Sequence, residues 1–434
     1  MRPDIASIDA SLRPSAATPG QAGGMGLLGA LAWRNLWRNR QRTWLTAGSI
    51  AFAVMLIVVG FSLQGGAMMA MADNATRLLS GHVQIQNSAY AADPALRNLV
   101  PDATAVARAV AKVPGVVGVA PRAVGFALVS VGERSYGAQL MGVDAVAERS
   151  VSSLPDMLVA GHDVASPTDA VLGALMARNL GIGVGDGFVV LGGKLDGGVA
   201  ALALRVAGIV ETGSTDLDRA LVRVQLTALQ DEFGLGDRAH MIVLRLETFE
   251  LAAARLPHID AAIAPLATNA VALSWQQLMP EMSQTIQLKR AGSLVMFGLI
   301  ALLVTFSVFN SFMMSVFDRT REIGMLLAIG MRPGSIVGVL QVEAAWLALL
   351  GAGIGVALGA ALMALVQHVG IPLGGMTGDL AQRYHMPARL FPALDVDTLI
   401  AAPLLMLCAT QLAALIPALR IRRLEPVDAL RVRA

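Results

Sequence analysis

The chain has 434 residues, of which 55% are apolar types and 15% are Asp, Glu, Lys or Arg, against about 25% charged residues in ordinary soluble domains. So much hydrophobicity at a formal net charge of only +2 excludes intrinsic disorder. The charges are also missing in long blocks, which excludes a simple soluble enzyme.

Residues 1–25 are rich in Ala, Gly, Pro and Ser and read as disordered. After them, Leu28, Leu31, Ala32, Leu36 and Trp37 are interspersed with Arg34, Arg38, Arg40 and Arg42. Trp33, Trp37 and Trp44 supply rings suited to the headgroup layer. The segment reads as an interfacial amphipathic helix leading into a first span; a plain positive anchor is the alternative. Thr43 to Ala72 carries no Asp, Glu, Lys or Arg, and about 20 apolar residues suffice to cross the hydrocarbon. Ala70-Met71-Ala72 has the form of a signal-peptide cleavage site, but the leader before the apolar stretch is longer than such peptides carry.

The next two hundred or so residues are enough for one sizeable core or two lobes. Val83–Gln86, Gly125–Val131, Tyr136–Gly142, Gly187–Leu191 and Met241–Leu246 predict strands. Asp102–Lys112, Pro167 or Thr168 to Leu180, Leu226–Phe233 and Leu251–Leu266 predict helices, with Pro257 a breaker in the last. The pattern is mixed α/β. Six histidines form no HExxH or close pair, no GxSxG is present, and neither GxGxxG nor GxxxxGK[ST] occurs. No catalytic residue, metal site or nucleotide-binding domain of its own is expected, and nothing points to nucleic acid. The single cysteine, Cys408, permits no intrachain disulfide.

Ala291–Phe317 is again free of charge, Pro333–Gly378 carries only Glu343, and Thr398–Leu419 carries none. Between the second and third of these spans runs DRTREIGMLLAIGMRPGS (residues 318–335). Acidic residues at its start, an apolar side of Ile323, Leu326, Leu327 and Ile329, then Gly330 and Pro333, predict a short amphipathic helix that stops there. Such a helix must lie on the membrane or fill a partner's groove; a turn-forming loop is the alternative. Gly351, Gly355 and Gly359 form two GxxxG steps on one face of the third span, which let helices approach closely. Glu343 is expected in a polar contact near one membrane boundary.

These readings give a polytopic α-helical membrane protein with four transmembrane helices and a large mixed α/β extracytoplasmic domain between helices 1 and 2. The boundaries are 1–44 (tail with interfacial helix), 45–67, 68–291 (domain), 292–316, 317–335 (short amphipathic helix), 336–367, 368–397 (second, irregular loop), 398–417 and 418–434. Residues 1–44, 317–335 and 418–434 net +4, +1 and +3, whereas 73–290 nets −4. Basic residues beside span ends stay inside, so both termini and 317–335 are expected in the cytoplasm.

The Trp-Arg-Asn-Leu-Trp-Arg-Asn run at 33–39, the segment Arg319-Thr320-Arg321-Glu322-Ile323-Gly324 through Ala328-Ile329-Gly330, and the set Pro417, Ala418, Arg420, Pro426, Ala429, Leu430 and Arg431 resemble the permease subunits of the ABC transporter family that includes LolC/LolE, MacB and FtsX. The resemblance covers nearly everything after residue 28. Gly81-His82-Val83-Gln84-Ile85 and Val206–Asp218 resemble the LolC/LolE-like branch. The resemblance implies a non-catalytic inner-membrane subunit, driven by a separate cytoplasmic ABC ATPase dimer that binds ATP-Mg and paired with a second permease chain, identical or paralogous. It implies that Arg319, Arg321, Glu322, Ile323, Gly324 and Leu327 meet the ATPase. The Arg and Glu residues would set orientation, Ile and Leu would fill a groove, and Gly324 would permit close approach. Pro417, Arg420, Pro426 and Leu430 mark the C-terminal signature. The implied task is lipoprotein release or transport, with a lipoprotein cargo or periplasmic factor as a further partner. Export of a small molecule or peptide, and regulation of a cell-wall hydrolase, are the alternatives.

Overall fold

The computed structural model describes residues 32–372, 389–394 and 396–421; the segment read as disordered and most of the 368–397 loop lie outside them. A helical stretch at 32–38 precedes α1 (Arg40–Ala75), whose end passes into a π-helical stretch, Thr76–Ser80. The domain follows as β1 (Val83–Asn87), α2 (Ala103–Val110), β2 (Val116–Val131), β3 (Arg134–Val143), α3 (Ala145–Val151), β4 (Leu158–Gly161), β5 (Asp169–Gly173), α4 (Ala174–Leu180) and β6 (Gly187–Gly193). It continues through β7 (Val199–Val210), α5 (Thr215–Ala220), β8 (Leu221–Gln225), α6 (Leu226–Phe233), β9 (Met241–Leu246), α7 (Ala252–Ile263), β10 (Ala270–Ser274) and α8 (Trp275–Leu278). Then come α9 (Pro280–Asp318), α10 (Thr320–Ala328), α11 (Pro333–Val369), the short pair β11 (Ile371–Pro372) and β12 (Arg389–Leu390), and α12 (Val396–Arg420).

These elements divide into two compact units. One holds the chain up to Leu63, Ala291–His368 and Ala393 onward; the other holds Gln64–Arg290 and Val369–Pro392. In the first, α1, α9, α11 and α12 are the four membrane-spanning helices. At 39 residues α9 is the longest, about 58 Å from end to end and nearly twice the hydrocarbon thickness. Their shared core is Ile50, Val54 and Ile57 of α1, Phe297, Ala301 and Val308 of α9, Ala344 and Leu347 of α11, and Met406 and Ala413 of α12. Outward-facing Leu303 and Phe306 of α9 and Leu412 of α12 are exposed. Apolar residues on both the packed and the free face are what a membrane helix needs.

The second unit is the mixed α/β extracytoplasmic domain. Its strands form a ten-stranded sheet in the order β10-β1-β9-β2-β3-β8-β5-β7-β4, with β6 pairing both β2 and β7. The path β2-β3-β8-β5-β7-β6 thus returns to β2 as a closed circuit. Parallel pairs occur at β3–β8 and β5–β7. The circuit encloses Val129, Leu140, Leu172, Val190, Leu204 and Val224, capped by Met176 and Leu180 of α4 and by Leu229 and Phe233 of α6. A second core lies where α2 and α7 cover β1, β9 and β10, around Ile85, Val106, Leu244 and Ile259.

Two local expectations change. The helix read from Pro167 or Thr168 begins only at Ala174, because Asp169–Gly173 is a strand buried along its whole length between β7 and β8. A short unbroken apolar run suits a two-sided strand as well as a helix, and strand pairing decides here. Pro257 does not break α7, which runs through it with Ile259 and Ile263 buried.

Candidate functional site

The corner between α9 and α11 is built from its own sequence. α9 ends at Asp318, Arg319 departs from helical geometry (φ −100°, ψ 8°), and α10 restarts at Thr320. The stop of α10 is a pair of bonds, Gly330 N–H to Leu327 O and Met331 N–H to Leu326 O, each 3.0 Å. This Schellman arrangement requires a left-handed residue, and Gly330 supplies it at φ 101°. α11 begins three residues later at Pro333, where the missing N–H of proline costs nothing.

Three ion pairs fasten this corner. Arg319 Nη1 donates to Glu343 Oε2 of α11 at 3.2 Å, with the two side chains 13% and 5% exposed. Glu343 therefore finds its polar contact in Arg319, as a carboxylate inside a membrane helix must find one. Arg38 Nη2 donates to Glu322 Oε2 at 2.9 Å and to Oε1 at 3.2 Å. Arg42 Nη1 stands 3.6 Å from Asp318 Oδ2. Below these, Thr46 and Ser311 share a hydroxyl contact of 2.8 Å. A polar cavity of about 10 Å³ lies between Arg42, Thr43, Thr46, Ser311 and Glu343. A larger one of about 80 Å³ is lined by Asn35, Arg319, Glu322, Ile323, Met331 and Leu340 among others.

Of the residues singled out in sequence, Arg319, Ile323 and Gly324 face inward. Ile323 is buried among Val316, Ile336, Leu340 and Ala418, with Leu327 packed against them. Arg321 and Glu322 are exposed, and the apolar side chains left open on this helix and its end are Met325, Leu326 and Ile329, the last 84% exposed. Ile323, expected to fill a partner's groove, is 5% exposed and packs within its own bundle. No local pattern in the sequence pairs Arg38 with Glu322 or Arg42 with Asp318. Matching charges in the 32–42 and 318–322 segments were the only signal available.

The glycine steps pack against α1. A Cβ at Gly351 would stand 2.7 Å from Ala47 O, one at Gly355 2.5 Å from Ala51 O, and one at Gly359 3.1 Å from the Val58 side chain. Gly353, off this face, has open space. Near the end of α12, Pro417 is buried and the Arg420 guanidinium lies 5.8 Å from the Phe317 ring centroid, within cation–π range. Pro426 and Leu430 lie outside the described residues. Among the described residues no three His, Cys, Asp or Glu side chains gather as metal ligands.

Two family models match the chain: the MacB-like periplasmic core domain over residues 43–259, and the FtsX-like permease C-terminal over residues 294–426. The lipoprotein-releasing system transmembrane protein LolC of Xylella fastidiosa is 26% identical over 342 residues, covering 73% of this chain and 78% of LolC. The macrolide export ATP-binding/permease protein MacB of a Shewanella species is 32% identical over 123 residues, covering 28% of this chain and 16% of MacB. The periplasmic region of MacB from Actinobacillus actinomycetemcomitans aligns at a TM-score of 0.35 and 15% identity, over 47% of this chain and 92% of that one. With the MacB-like core model spanning half of the sequence and the FtsX-like model most of the rest, the chain belongs to the FtsX/MacB/LolC superfamily of ABC-transporter permeases, and is a membrane subunit rather than an enzyme.

Proposed function

We propose that this permease, with its termini and the 317–335 corner in the cytoplasm, receives the stroke of a separate ABC ATPase dimer at α10 and delivers it to the extracytoplasmic domain, acting beside a second permease chain to release or transport lipoproteins. The observation that carries this reading is the corner itself. α10 and its C-cap expose Arg321, Met325, Leu326 and Ile329 while Arg319 is bonded to Glu343. A partner pushing on that face moves α9 and α11 together with it. An amphipathic helix docks by placing its apolar side in a groove, and the open side chains are of that kind. Arg321 and Glu322 orient the contact. The lipoprotein cargo is supported by the length of the match to LolC, 73% of this chain against 28% for MacB.

The test is ATP hydrolysis by the permease assembled with its ATPase. Ile329→Asp, at a solvent-exposed position, lowers permease-stimulated hydrolysis several-fold while the permease still folds and inserts. Unchanged stimulation would remove α10 from the contact. Crosslinking of the domain to an acylated protein during turnover tests the cargo; drug sensitivity of cells lacking the permease, with no such crosslink, would favour small-molecule export.

A further inference from the structure

The last carbonyls of a helix have no partner within it, and the end of α1 shows how they are taken up. Gly81 N–H takes Thr76 O at 2.7 Å, closing the π-helical turn. The three carbonyls that follow are received by the domain. Ser153 N–H donates to Arg77 O at 3.0 Å, Ser152 Oγ to Leu78 O at 3.4 Å, and Arg122 Nη1 to Leu79 O. Leu78 and Leu79 also pack against the cluster of Met141, Val143 and Leu154. The helix end is therefore held by main chain, hydroxyl and guanidinium at successive residues.

Arg122 is the buried member of this grip. It stands on β2 at 1% exposure. Its Nε and Nη2 donate to the two carboxylate oxygens of Glu148 on α3, at 3.0 and 2.7 Å, and Glu148 is fully buried. A buried pair of this kind is not needed for a stable core, since apolar residues of similar volume commonly serve as well. What apolar residues cannot do is bind a carbonyl. Guanidinium has five donors in a rigid fork, so it can be oriented by a carboxylate on two nitrogens and still present the third to Leu79. Lysine, a point charge on a flexible stem, lacks that geometry. The π-helical turn closes α1 instead of interrupting it, and lies where the membrane helix meets β2 and α3.

We propose that Arg122, oriented by Glu148, is a positioning residue for force transfer, fixing the end of α1 to β2 so that movement of the first membrane helix is delivered to the extracytoplasmic domain. This rests on the coupling function proposed above. The clamp adds the point at which the helix is gripped, and it separates two events: ATP turnover needs the α10 corner, whereas displacement of the domain needs Arg122.

The experiment compares the full permease, reconstituted with its ATPase in lipid vesicles, with the paired variant Arg122→Met/Glu148→Leu, which removes the fork and leaves no charge buried. Spin labels at Val199, 73% exposed, in the two permease copies report the change in their separation on adding ATP. The expected result is retained permease-stimulated ATP hydrolysis with the ATP-driven shift lost, while amide exchange along β3 stays slow. Arg122→Lys restores part of the shift. Ser153→Pro, which deletes both Ser153 donors on Arg77 O, the N–H and the Oγ, at a residue with φ −90° and introduces no charge, reduces the shift as well. A full shift in a folded paired variant overturns the clamp, and should that variant not fold, a full shift in Arg122→Lys does so. A wild-type complex that hydrolyses ATP without any shift overturns the coupling function itself, and the clamp falls with it.

Discussion

The membrane bundle and the extracytoplasmic domain each contain a buried Arg–Glu pair, and they use it differently. In the domain, Arg122 and Glu148 meet through two hydrogen bonds at 1% and 0% exposure, with the third nitrogen on a main-chain carbonyl. In the bundle, Arg319 meets Glu343 through one bond at 13% and 5% exposure, beside a small polar cavity. A bidentate, fully dry pair has one good geometry. The domain pair uses all three guanidinium nitrogens in a dry site, whereas the bundle pair rests on one bond beside polar space.

The sharpest way to break the comparison is Glu148→Ala. It leaves the Arg122 charge buried with no counter-ion, and a loss of about 3–5 kcal/mol of domain stability is expected. Thermal unfolding or loss of amide protection along β2 and β3 measures it; a loss below about 1 kcal/mol, the scale of an exposed pair, would remove the distinction between the two regions. Next comes helix packing in the bundle. Gly355→Val places carbon 2.5 Å from Ala51 O and overpacks the α1–α11 face, at a cost of about 2–3 kcal/mol. Gly353→Ala, where nothing stands within 4 Å, is close to neutral; unfolding of the two variants in detergent measures both. Equal effects at the two positions would mean that α11 does not use this face.

The smallest effect is a pH slope that belongs to the domain. His240 is buried, its Nδ1 accepts the Val124 N–H at 3.0 Å, and burial lowers its pKa from 6.5 to about 4. The unfolded chain then binds a proton that the folded chain refuses between those values, so stability falls as pH drops through this window. About one proton unit of free energy per pH unit gives a loss on the order of 2 kcal/mol between pH 7 and pH 5. His240→Asn, whose amide oxygen can accept the same N–H, should flatten this slope in pH-dependent unfolding. An unchanged slope would assign it to other groups.

Much of the bundle was legible because its signal is long. A charge-free run such as Thr43–Ala72 has one physical explanation, and Gly330 with Pro333 marks a helix stop through local geometry alone. The domain was legible in pieces. Leu226–Phe233 stops at Gly234, a left-handed C-cap, and forms the helix read from it. β7 went unread because its Ala-rich run, VAALALRVAGIV, carries little strand propensity; pairing with β5, β6 and β4 makes it a strand. The candidate site was half legible. Composition marked α10 as amphipathic, but which residues it keeps for its own bundle depends on where α11 and α12 arrive. Arg38 and Glu322 are 284 residues apart; sequence shows both charges and nothing of their meeting.

The glycine steps of α11 carry a mechanical consequence. Gly351 receives Ala47 and Ile50, Gly355 receives Ala51 and Val54, and Gly359 receives Met55 and Val58, so both helices advance by four residues per notch. A slip of less than one notch, about 6 Å of helix rise, would drive each ridge of α1 into backbone that has no hollow to accept it. The two helices are notched together, and any relative slide smaller than one notch meets this steric block.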